Sequence, residues 1–131
     1  MSYSNPDRRF YVFPTVDFGA GSTSHSFQGP KGKAGRLVCI HLSASETFTN
    51  TTTEANIMVG TAADTDAYAL MNLGTTAATD SVASDDGVTD TDAIISASIP
   101  ADTQVEVTCT APTGGTPAGI GTVTVIVDWA L

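Results

Sequence analysis

The chain has 131 residues, 41% of them hydrophobic, two cysteines, and a formal net charge of −9 at pH 7. That length fits one domain with a core that needs no staples, and the two cysteines, without C-x-x-C or Cys/His spacing, exclude a disulfide framework and a zinc knot. Every cation lies in residues 1–36 (Arg8, Arg9, Lys31, Lys33 and Arg36) beside two acids, Asp7 and Asp17, whereas the rest of the chain carries twelve acids and no cation, the asymmetry of a binding protein more than of a catalyst.

Chain order begins with Met-Ser-Tyr-Ser-Asn-Pro-Asp-Arg-Arg, which has no apolar stretch behind its charges, and no later apolar run approaches membrane-spanning length. The expectation is a soluble protein made in a cytosol and kept at full length, with no membrane partner. Its acidity argues against nucleic acid as a partner as well, since phosphate would be repelled by most of the surface. Phe10 to Phe18 is the first strand candidate. Gly19 to Gly35 offers little to pack except Phe27 and reads as an arm or a loop ordered by a partner, because long structureless connections inside a domain are uncommon without a role. Residues 1–35 are therefore expected to be a basic strand and arm region that contacts a partner, and residues 36–131 the body of what is one domain overall.

Arg36 to Ala44 is apolar on both alternating sets, Val38, Ile40 and Leu42 against Leu37 and Cys39, as in an inner strand. Ala55 to Thr61, Ala67 to Leu73 and Ala93 to Ile99 are weaker candidates. Ile99-Pro-Ala-Asp-Thr103 reads as a tight hairpin turn. Gln104 to Ala111 alternates cleanly, with Val105, Val107, Cys109 and Ala111 on one side and Gln104, Glu106, Thr108 and Thr110 on the other. The last strand sets Val123, Val125, Val127, Trp129 and Leu131 in phase, and Ile126 alone breaks the wet side. Gly74 to Asp92 and Pro112 to Gly121 are connections. Many short strands with no helical period predict an all-β protein, a single antiparallel β-sandwich of jelly-roll or immunoglobulin-like order.

Little in this pattern points to chemistry. His41 and Cys39 share a strand face at i, i+2, but a strand interior is a poor place for a nucleophile, and a buried Cys is usually inert. No nucleophile elbow, P-loop or dinucleotide fingerprint occurs, so no enzyme and no cofactor are expected. The acidic loops around Asp64 and Asp66 and from Asp85 to Asp92 read as solvated, and no metal is expected. Were a hard cation to bind, Asp85, Asp86, Asp90 and Asp92 would be its first ligands. A sugar platform would have to come from Tyr68 and Phe48, the body aromatics not assigned to the early cluster or the core.

The early cluster is the strongest binding signal. Arg8-Arg9-Phe10-Tyr11-Val12-Phe13 joins guanidinium and ring, the types enriched at interface hot spots, and Arg8, Arg9, Phe10 and Tyr11 are its expected contacts. Lys31, Lys33 and Arg36 extend its charge, with Phe27 as an apolar anchor.

The run Ala111-Pro-Thr-Gly-Gly-Thr-Pro-Ala-Gly-Ile-Gly-Thr-Val-Thr-Val-Ile-Val-Asp-Trp129, together with Ile99-Pro-Ala-Asp-Thr-Gln-Val-Glu-Val-Thr108, resembles the small β-sandwich head decoration, or cement, proteins of tailed bacteriophages. The resemblance covers roughly residues 36–131 in pattern. It implies a homotrimeric jelly roll on the outer surface of an assembled capsid, where it contacts the major capsid protein and holds neighbouring capsomers together. The first 36 residues match no motif of that family. Their contacts with a shell are inferred from charge and composition alone. The reading of a different class is a receptor- or glycan-binding module of a head or tail fibre.

Overall fold

The computed structural model describes residues 7–84 and 93–130. Strands β1 (Asp7–Val12), β2 (Val16–Asp17), β3 (Thr23–Gln28), β4 (Gly35–Thr49), β5 (Asn56–Gly60), β6 (Ala69–Asn72), β7 (Ser81–Ala83), β8 (Ser98–Ile99), β9 (Gln104–Thr110) and β10 (Ala118–Trp129) are joined by loops and one 3-10 turn at Phe18–Ala20. They form two antiparallel sheets, the first ordered β1-β10-β4-β7 and the second β3-β9-β5-β6, with β2 against β10 and β8 against β4. The protein is an all-β sandwich.

Alternation explains the core. Val123, Val125 and Val127 of β10 and Ile40 and Leu42 of β4 are fully buried and form one cluster with Ile57, Val59, Met71, Val105 and Val107 of the second sheet. The two apolar sets of β4 are reconciled by a register shift. Ile126 pairs with Cys39 but Val127 pairs with Leu37, so Val38 is an extra residue in the ladder. Such a bulge flips the phase of the strand beyond it. Leu37 therefore points inward together with Ile40 and Leu42, while Cys39 and His41 share the outer face with Ile126.

Three expectations are corrected. Gly19 to Gly35 is not a structureless arm, because Thr23–Gln28 forms β3 and pairs with β9 from Thr23↔Cys109 to Gln28↔Gln104. Its alternation of His25 and Phe27 with Ser24, Ser26 and Gln28 is a genuine period of two, masked by Gly and Ser content. Second, the turn after Ile99 is not a hairpin. Strand β8 pairs with β4 in the first sheet, while β9 lies in the second, so Pro100 to Thr103 carries the chain between sheets. Asp102 takes a positive φ of 58° there, a conformation Asp tolerates better than most residues. Third, Gly74 to Asp92 contains a strand, β7, whose three residues are too few to show a period.

Residues Phe10 to Phe18 divide at Pro14 into β1 and β2, both on β10. The side of the sandwich between β1 and β3 is closed by rings: Tyr11 stacks on Phe27 with centroids 3.9 Å apart, and Phe13 on His25 at 5.0 Å. One end is closed by Trp129, 1% exposed, whose Nε1–H donates to the Tyr11 hydroxyl at 2.8 Å.

Candidate functional site

The pleat of β1 divides the early cluster between two faces. Arg8, Phe10 and Val12 stand on the outer face of the first sheet, and Asp7, Arg9 and Tyr11 on the other. Arg8 grips Asp128 with two bonds, Nε to Oδ1 at 2.6 Å and Nη2 to Oδ2 at 2.9 Å. The Asp128 side chain is only 3% exposed. Register places Arg8, Asp128 and Arg36 side by side across β1, β10 and β4. The Arg8 hydrogen bond, helped by the charges of Arg8 and Arg36, holds the Asp128 carboxyl below its ordinary pKa against the opposing effect of burial.

Arg9 pairs with Asp7 at 3.0 Å on the exposed surface. Tyr11 and Phe27 are structural: each is half-buried against the core and they stack on one another, and burial raises the Tyr11 hydroxyl pKa. Lys31 and Lys33 lie in the connection between β3 and β4, which is docked onto the β8–β9 turn by the Gly32 N–H donating to Asp102 Oδ1 at 2.8 Å. Neither lysine is ion-paired among the described residues.

The structure thus gathers Arg8, Arg36 and Phe10 on one sheet face, leaves Lys31 and Lys33 on the loop at the end of that sheet, and turns Arg9, Tyr11 and Phe27 away from it. That end is not purely basic, because Asp7, Asp102 and Asp128 share it. Val12, inside the expected run but not among its named contacts, makes up the exposed large hydrophobics among the described residues together with Phe10 and Ile95, at 62%, 61% and 61%. Their signal was present in the alternation Arg8, Phe10, Val12. Beside Phe10 in register lie Ile126 and Cys39, and beside Val12 lie Thr124 and His41. The outer face of the first sheet is therefore apolar near β1. The outer face of the second carries Ser24, Ser26, Glu106 and Thr108 in side-by-side register at its β3–β9 side, with Ser24 bonded to Glu106 and Gln104 to Ser26, and the partly exposed Met58 and Leu70 at its β5–β6 side.

Other candidates fare differently. Cys39 donates to the Ile40 carbonyl at 3.4 Å and is buried, and no pocket opens beside it or elsewhere among the described residues. Cys109 lies in the core, where burial pushes its thiol up to about 11. Asp85, Asp86, Asp90 and Asp92 lie outside the described residues, and among those described no three ligating side chains gather. Tyr68 and Phe48, the body aromatics from which a sugar platform would have had to come, are 7% and 0% exposed and belong to the core.

No family model and no curated protein matches the chain. Among solved structures it is similar to a chain of the cyanophage Pam1 capsid asymmetric unit, with 14% identity over 94% of this chain and 85% of that one and a TM-score of 0.40. It is also similar to a chain of the acidic stable capsid structure of Helicobacter pylori bacteriophage KHP30, at 10% identity over 93% of each chain, again with a TM-score of 0.40.

Proposed function

We propose that this protein is a structural subunit of a phage virion, which docks on the outer surface of the assembled shell, contacts the major capsid protein and cements its neighbouring subunits. The observation that carries the reading is the pair of exposed hydrophobics Phe10 and Val12 beside Ile126 at the β1 side of the first sheet, whereas the outer face of the second is polar at its β3–β9 side and adds only the partly exposed Met58 and Leu70. Exposed Phe10 and Val12 edged by Arg8 give the first sheet an apolar patch of the kind a partner covers. The strand order supports a jelly roll over an immunoglobulin order, since β1-β10-β4-β7 faces β3-β9-β5-β6 and successive strands cross repeatedly between sheets. Binding an assembled shell but not its dissociated subunits would stabilise the shell by mass action.

Phe10, Arg8 and Arg36 are the proposed contacts on the face, with Lys31 and Lys33 beside them at the sheet end. Tyr11 and Phe27 pack against the core and Arg9 pairs with Asp7 on the surface, so these three are left out of the proposed contact set. The glycan-binding fibre reading loses its platform with Tyr68 and Phe48 in the core.

The test is co-sedimentation of the protein with shells stripped of it. Saturable binding by the wild type that is lost in Phe10→Ser/Val12→Ser, but kept when Ser24 and Ser26 on the opposite face are changed to Ala, is the expected result. Wild-type protein left in the supernatant, or equal binding by both variants, overturns the assignment.

A further inference from the structure

We infer that β1 is the pairing edge for a second copy of this chain, joined antiparallel about a twofold axis at Phe10. This inference goes beyond the capsid reading and stands without it.

The argument begins with backbone polarity. The Phe13 N–H donates to the Val123 carbonyl at 3.1 Å, and the register from Asp7↔Trp129 to Val12↔Thr124 continues without a bulge. In an antiparallel ladder, residues that bond the neighbour alternate with residues whose N–H and C=O point away. Asp7, Arg9 and Tyr11 therefore share the phase of Phe13 and bond β10, and the backbone groups of Arg8, Phe10 and Val12 face the open edge. No described residue pairs with that edge.

The other long edges are treated differently. Beside β6, residues 93–96 close the ladder, with the Leu70 N–H donating to Ala93 and the Ile95 N–H to Tyr68, both at 2.8 Å. Strand β3 is an open edge as well, but its exposed side chains are Thr23, Ser24, Ser26 and Gln28, so pairing there would bury no exposed hydrophobic. Proteins protect open edges with bulges, prolines, short length or unpaired charge. The six residues of β1 have no bulge and no proline, carry two of the exposed hydrophobics, and have both arginines matched by carboxylates.

Self-complementarity selects the occupant and the register. With Phe10 opposite Phe10 of the second copy, Arg8 stands opposite Val12 and Arg9 opposite Tyr11, so every outward N–H and C=O of β1 finds a partner and no like charges meet. Sliding one step toward the N-terminus sets Arg9 against Arg9. Sliding one step the other way puts Pro14, which has no N–H, opposite Arg8. An isologous edge of this kind closes at two copies, so it gives a dimer and not the trimer that the family resemblance implies. It also makes the two first sheets continuous, with Phe10 and Ile126 of both copies in one apolar row on the outer face.

Sedimentation equilibrium of the full chain tests this, at protein concentrations up to about 100 μM and in enough salt to screen the net charge. The wild type is expected to dimerise. Phe10→Pro removes an N–H that faces only the edge, leaves the β10 ladder intact, and is expected to weaken dimerisation by roughly tenfold or more, for two lost hydrogen bonds and the lost ring contact. Val12→Pro is the second variant should the first fail to fold. Register is read by oxidation with diamide: Phe10→Cys is expected to cross-link to itself, and Arg8→Cys only when mixed with Val12→Cys, because paired Cα atoms lie about 5.5 Å apart. A monomeric or trimeric wild type, unaffected dimerisation by the proline variants, or self-cross-linking of Arg8→Cys overturns the proposal.

Discussion

Asp128 shows how one residue can serve both stability and surface chemistry. Its carboxylate is buried on the outer face of the first sheet and is held by two bonds from Arg8. Because the folded-state pKa is lowered, the pair contributes stability that is fully present above the unfolded carboxyl pKa of about 3.9 and is lost as pH falls through the folded value. Denaturant midpoints measured across acidic pH should therefore decline for the wild type. Arg8→Ala should start lower at neutral pH, where it leaves a buried carboxylate short of a partner, and the gap to the wild type should narrow with acidification. A gap that stays constant would remove the pair from the account. Trp129 bears on stability alone, from within the core. A Cβ placed on Gly35 would meet its ring at 2.5 Å, and one placed on Gly29 at 2.4 Å. Gly35→Ala is expected to destabilise by about 1–3 kcal/mol through overpacking, read from the shift in the urea midpoint. An unchanged midpoint would mean that the ring yields.

At the scale of elements, legibility followed strand length and the number of wet faces. The clean alternation of β9 and β10 located them and their buried sides, and Trp129 fell in the core as its phase required. The two-sided pattern of β4 predicted an inner strand, correctly, since it lies between β10 and β7. What alternation could not carry was the bulge at Val38, because an inserted residue becomes visible only against the partner strand. Strand β3 was hidden by its small polar side chains, and the turn at Asp102 looks the same locally whether it closes a hairpin or crosses between sheets. The candidate interface was legible by composition but not by face: Arg8 and Arg9 are neighbours in sequence and opposites on the pleat. These strands make residues 7–35 part of the packing. The chain 36–131 alone would lose β1 and β3, the outer members of both sheets, together with Val16, Phe18 and the rings of Tyr11, Phe13 and Phe27 that lie in or against the core. It is expected to lack a cooperative thermal transition by circular dichroism. A truncated chain that melts cooperatively near the wild-type temperature would make the early segment an accessory after all.

At the scale of the whole molecule, ionic strength separates the two associations argued for this chain, because each depends on a different part of the charge. Self-pairing along β1 brings together two bodies of formal net charge −9, while Arg8 and Arg9 at the contact are already matched by Asp128 and Asp7. Added salt screens the repulsion between the bodies and should tighten the dimer. Shell docking is the opposite case to the extent that Lys31 and Lys33, which have no described ion-pair partner, contribute to it, and it should weaken as salt rises. The slope is expected to be shallower than five cations would give, since Arg8 and Arg9 are paired within the chain and Arg36 lies beside Asp128. Measured side by side from about 50 mM to 500 mM salt, dimerisation should strengthen and shell binding should weaken, and Lys31→Gln/Lys33→Gln should flatten only the second. Shell binding indifferent to salt in both proteins would assign the grip to Phe10 and Val12 alone, whereas a dimer that dissolves as salt rises would require a charged contact that the β1 edge does not contain.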